Sequence, residues 1–104
     1  MKITYSSTKL EKILSNLRLL KKYYSTDYDH LRNRLSELEA ASSLADISSS
    51  PPPRRHKLYG DRAGMWGIDY SRNDRIVLKP AGNYNIEDLA SIVEIEIVAL
   101  EDYH

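Results

Sequence analysis

With 104 residues and no cysteine, the chain is sized for one small domain, residues 1–104, that folds without disulfides. Fifteen Lys and Arg balance fifteen Asp and Glu, which argues against a uniformly basic nucleic-acid binder. No apolar run approaches the ~18 residues of a membrane span, and no basic start leads into an apolar stretch as in a signal peptide. Together with the missing cysteines, this predicts a cytoplasmic protein with no membrane partner.

Lys2 to Tyr5 reads as a short strand. Thr8 and Glu11 match a capping box, and Leu10, Ile13, Leu14, Leu17 and Leu20 follow at helical spacing as one apolar stripe. A second helix is expected to begin near Thr26, with Asp29 in its first turn and Tyr28, Leu31, Leu35 and Leu38 on its buried face. The short 24–26 connection makes the two an antiparallel hairpin. Its exposed sides, with Lys12, Arg18, Lys21 and Lys22, offer a surface to an acidic or amphipathic partner.

Residues 42–53 form a serine-rich break ending in three prolines, which Leu44 and Ile47 are expected to pin to the core. The remainder reads as β-structure. Trp66, Ile68 and Tyr70 alternate with Met65, Gly67 and Asp69; Ser71 to Asp74 is a turn; Arg75 to Lys79 is a strand with Ile76 and Leu78 on one face. Residues 86–90 are expected to form one helical turn, and 91–102 the last strand. Gly60 and Gly64 suit tight turns, and Trp66 the core. The order predicts an α+β fold: an N-terminal strand and a helical hairpin packed on one face of a mostly antiparallel four- to five-stranded sheet.

The charge is segregated. Residues 54–75 hold six Lys and Arg against three Asp, whereas residues 80–104 hold six Asp and Glu and no Lys or Arg. The basic stretch contains His56, and the acidic one ends Glu101-Asp102-Tyr103-His104. A carboxylate, a phenol and imidazoles can together accept, donate and orient protons near neutral pH. His30 sits on a helix away from both blocks and reads as structural or solvent-facing. No Cys/His spacing suggests a metal site.

Two blocks carry a resemblance. The first is His56-x-Leu58-x-Gly60-Asp61-Arg62-x-Gly64-x-Trp66-x-Ile68, followed by Asn73 and Arg75-Ile76; the second is Glu101-Asp102-Tyr103-His104. With the 35–45 stretch, Leu35-x-x-Leu38-Glu39-Ala40-Ala41-x-x-Leu44-Ala45, they make most of the chain after residue 30 resemble the HigB-type killer proteins of the RelE/ParE toxin superfamily. The resemblance implies a RelE-like fold and the toxin of a type II toxin–antitoxin system. It implies a ribosome-dependent mRNA endoribonuclease (an mRNA interferase that inhibits translation) acting on mRNA in the 70S ribosome. It also implies a helix-turn-helix antitoxin of HigA type as partner, with operator DNA reached only through that antitoxin.

By the same resemblance, the catalytic positions fall on His56, Asp102, Tyr103 and His104, and the phosphate-contacting ones on Lys57, Arg62 and Arg75. No cofactor is implied. The residue types suit the chemistry. RNA cleavage by its own 2′-OH needs a base, an acid for the leaving 5′-oxygen, and cations for the charge that builds on phosphorus-bound oxygens. Asp74, immediately before Arg75, is an acid that would weaken the hold of Arg75 on phosphate. Two further readings are a non-enzymatic or weakened toxin-like module acting with its antitoxin in operator co-repression, and a ParE-like gyrase poison, which would lack the terminal Asp-Tyr-His.

Overall fold

The protein is described here by a computed structural model covering residues 1–102. Strand β1 (Lys2–Tyr5) leads into helices α1 (Thr8–Leu14), α2 (Leu17–Tyr23) and α3 (Tyr28–Ala40). Strands β2 (His56–Lys57), β3 (Trp66–Asp69), β4 (Asp74–Pro80) and β5 (Glu94–Asp102) follow. The five strands form one sheet in the order β1-β5-β4-β3-β2, in which only the β1–β5 pair is parallel. The expected α+β architecture is present.

The first apolar stripe does not run as one helix. Asn16 interrupts it, and its Oδ1 accepts the N–H groups of Arg18 and Leu19 at 3.0 and 3.3 Å, which caps a new helix. Leu17, expected in the stripe, is 56% exposed. The first cap is also displaced by one residue. Ser7 Oγ accepts the Leu10 N–H at 3.1 Å, and Thr8 is the first helical residue. Helix α3 buries Leu31, Leu35 and Leu38 as expected, whereas Tyr28 is half-buried and Arg34 is buried with them.

Ile68, Ile76, Leu78, Ile95 and Ile97 of the sheet meet Leu20, Leu31, Leu38 and Leu44, all at 0% exposure. Each such side chain contributes roughly 1.5–3 kcal/mol through burial. Leu44 and Ile47 pin the serine-rich break, the former also through its N–H to the Ile92 carbonyl at 2.9 Å. The helical turn expected at 86–90 falls instead at Leu89–Ser91, with the Asp88 carboxylate accepting the Ala90 N–H. Strand β5 therefore begins at Glu94 rather than at residue 91. Among the described residues no helix is long and apolar enough to cross a membrane.

One irregularity decides the site. Strands β4 and β5 pair Val77 with Ala99 but Leu78 with Ile97, so Val98 is an extra residue on β5. A strand alternates faces, so strict alternation from Ile95 and Ile97 would send Glu101 into the core. The bulge reverses the alternation. Leu100 packs against the core beside Ile76, its cross-strand partner, and Glu101 turns to the opposite face.

Candidate functional site: the open face of the sheet

Two cross-strand rows lie on the face away from the helices. His56, Gly67, Val77 and Ala99 are register partners in one row, and Asp69, Arg75 and Glu101 in the next. The rows meet at Gly67. A Cβ added there would stand 2.9 Å from both Cε1 and Nε2 of His56 and 3.2 Å from Cδ of Arg75. The missing side chain is what lets the imidazole and the arginine stem share one place on the sheet.

The His56 ring is oriented from below. Its Nδ1 lies 2.6 Å from the Arg54 carbonyl, and a carbonyl oxygen only accepts, so Nδ1 carries a hydrogen. In the neutral ring, Nε2 is then the basic nitrogen. Arg54 has φ 43°, in the left-handed region that arginine seldom enters. Its backbone N–H binds the Ser50 carbonyl at 3.1 Å, and its Nε donates to Asp69 Oδ2 at 2.6 Å. Side chain and backbone together hold the conformation that aims this carbonyl.

Arg75 and Arg62 both grip Glu101. Nε and Nη2 of Arg75 donate to Glu101 Oε1 at 3.0 and 2.6 Å, and Nη2 of Arg62 donates to Oε2 at 2.9 Å. Arg62 reaches back from the 58–65 excursion, whose turns use Gly60 and Gly64 at φ 65° and 85°. Burial alone would raise the Glu101 carboxyl, but the hydrogen bonds and charges of Arg75 and Arg62 outweigh it and hold the group below the usual carboxylate range. Asp74 is taken up in its turn, where its carboxylate accepts from Ser71 Oγ at 2.8 Å. The acid bound to Arg75 through these contacts is Glu101.

His56, Arg62 and Arg75 are thus brought together, and the others are placed differently. Lys57 alternates away from His56, and its Nζ sits 5.8 Å from the Trp66 ring centroid, with the Arg55 guanidinium at 5.7 Å from the same ring. Asp102 pairs in register with Asp74 and follows the parity of Leu100, so it lies on the other side of β5 from Glu101. There it helps burial and Asp74 to raise the Tyr70 phenol. Tyr103 and His104 lie outside the described residues. The residue that sequence reasoning left without a role is Glu101. Its signal was an acid with two basic residues available, readable only with the β4–β5 register. Among the described residues, no group of three or more His, Cys, Asp or Glu is disposed to hold a metal ion.

No family model and no curated protein sequence matches the chain. Solved structures do. A YoeB/ParE toxin from Agrobacterium tumefaciens superposes with a TM-score of 0.59 at 12% identity, over 100% of both chains. A YoeB–YefM complex from Staphylococcus aureus matches at 0.56 and 12% identity, over 100% of this chain and 97% of that one. A heterotetrameric YoeB–YefM toxin–antitoxin complex from the same organism matches at 0.54, with the same identity and coverage. At this identity the likeness is one of architecture: the chain carries the fold of these toxins over its whole length.

Proposed function

We propose that the protein is the toxin of a toxin–antitoxin pair and cleaves RNA on the open face of its sheet. The observation that carries this reading is the convergence of a tautomer-fixed imidazole, His56, with the Arg75–Glu101–Arg62 cluster across Gly67. Two neighbours in fold are YoeB–YefM complexes, one of them named as a toxin–antitoxin complex, and they support a protein antitoxin as partner. The finer reading follows the sequence resemblance: a HigB-type endoribonuclease of the cytoplasm, acting on ribosome-bound mRNA and silenced by a HigA-type antitoxin.

In the proposed reaction, Nε2 of His56 takes the proton from a ribose 2′-OH. The freed oxygen attacks the adjacent phosphorus, the bond to the 5′-oxygen breaks, and an acid returns a proton to that oxygen. The products are a 2′,3′-cyclic phosphate and a 5′-hydroxyl. His104, three residues beyond Glu101 in sequence, is the proposed acid, with Tyr103 assisting and Asp102 tuning the tail. Arg75 and Arg62 stabilise charge on the phosphate oxygens. Glu101 holds the two guanidinium groups side by side, and the incoming phosphate competes with it for them.

That competition also supports a second reading. A carboxylate bound to both candidate phosphate ligands suits a weakened or non-enzymatic module that acts only with its antitoxin. Expression of the chain alone, with cellular RNA ends mapped, separates the two. Cuts ending in a cyclic phosphate mark the enzyme, and intact RNA marks the binding module.

A further inference from the structure

A second basic feature lies at the end of the sheet nearest the β3–β4 turn. A groove of about 550 Å³ runs between the first half of α3 and that turn. His30, Arg34, Arg54 and Arg72 line it together with Pro51 and Pro52. Among the described residues its one acid is Asp69, bound by Arg54 at 2.6 Å. Among the described residues that line it, three arginines and a histidine thus stand with one carboxylate, in a chain of zero formal charge.

Arg34 points independently to a ligand. It is 7% exposed, an unusual depth for an arginine. Its Nη1 donates to Glu37 at 2.6 Å, yet its Nε is buried with no hydrogen-bond partner. A buried guanidinium with an unpartnered nitrogen is costly, and an anion beside it offsets part of that cost. Arg34 lines the groove, so an anion lodged there would lie beside this guanidinium and offset its charge.

The groove is joined to the candidate catalytic face through Arg54. The guanidinium of Arg54 belongs to the groove, and its carbonyl receives the Nδ1 hydrogen of His56. We propose that this groove is a phosphodiester subsite that takes the backbone of the RNA strand flanking the bond at His56. The proposal rests on the RNA-cleaving reading above. Planar guanidinium forks match phosphate oxygens two at a time. The exposed Pro51 and Pro52 give a flat apolar wall for a ribose or base.

The histidines make the test self-contained, because His30 reports on the groove and His56 on the open face. The ring C–H resonances of both are followed by NMR while the whole chain is titrated with a 2′-O-methyl RNA of about six nucleotides, which lacks the attacking hydroxyl. Both histidines are expected to shift with one binding curve. The Arg72→Gln chain is expected to bind roughly three- to tenfold more weakly, with its log–log salt slope reduced by about 0.7. Arg72 is exposed, and circular dichroism checks that the variant keeps its fold; Arg34→Gln repeats the test at the buried position. A shift of His56 alone, or unchanged affinity and slope in Arg72→Gln, overturns the subsite and leaves the cleavage reading standing. A shift of His30 alone places the RNA in the groove away from His56, and overturns both the flanking subsite and the cleavage reading. An acidic peptide of equal net charge that moves His30 as far as the RNA does would overturn the assignment to phosphodiester.

Discussion

The imidazole of His56 lies across Gly67, on ground that any other residue would occupy. Gly67 is buried in the middle of the sheet, where glycine forgoes side-chain packing and adds backbone entropy to the unfolded chain. Close approach of His56 and Arg75 is the compensation visible in the structure.

Gly67→Ala is therefore expected to displace the ring. The new Cβ would stand 2.9 Å from two imidazole atoms, nearer than van der Waals contact allows. Overpacking of this kind costs about 1–3 kcal/mol, which chemical denaturation reads directly. Growth arrest should fall much further than stability, because the Nδ1 bond that sets the tautomer is broken as the ring moves.

Glu101→Gln separates the stability and binding roles of the carboxylate. Charge-assisted bonds to Arg75 and Arg62 are lost, at a cost of about 1–3 kcal/mol near pH 7. The folded-state pKa of Glu101 lies below its unfolded value, so its contribution is fully present above the unfolded value and fades as pH falls through the folded one. Wild type and Glu101→Gln should thus differ in stability at neutral pH and converge in acid. The variant should also bind a 2′-O-methyl RNA more tightly, since the competitor for the two arginines has lost its charge; weaker binding would make Glu101 a required positioning residue instead.

The helix break offers a local check. Asn16→Ala removes the acceptor of two backbone N–H groups at the start of α2 and is expected to cost about 0.5–2 kcal/mol. If α1 and α2 behaved as one continuous helix, as the leucine spacing suggested, the same change would be neutral or stabilising, because alanine is the better helix former.

Much of the fold was legible because its elements follow periodicity. Leu31, Leu35 and Leu38 mark α3, and Ile68, Ile76 and Leu78 mark the core side of β3 and β4. The misses share a cause. Asn16 and Ser7 are caps whose short polar side chains override the apolar spacing around them. The candidate site was legible in part, since His56, Arg62 and Arg75 do converge. Glu101 stayed hidden because one extra residue, Val98, reverses the facing of the end of β5, and a bulge leaves no mark in a run such as Ile95 to Leu100. The resemblance set Lys57 beside His56 in the site, whereas neighbours on a strand face opposite ways and Lys57 pairs in register with Trp66.

The most direct test of the central claim maps RNA ends after expression of the wild-type chain and of His56→Gln. Glutamine keeps a donor for the Arg54 carbonyl but has no basic nitrogen. Wild type is expected to leave discrete cuts bearing 2′,3′-cyclic phosphate and 5′-hydroxyl ends, and His56→Gln to reduce them about 10²- to 10⁴-fold with circular dichroism unchanged. Equal cutting by the two chains, or no cutting by wild type, would contradict the account.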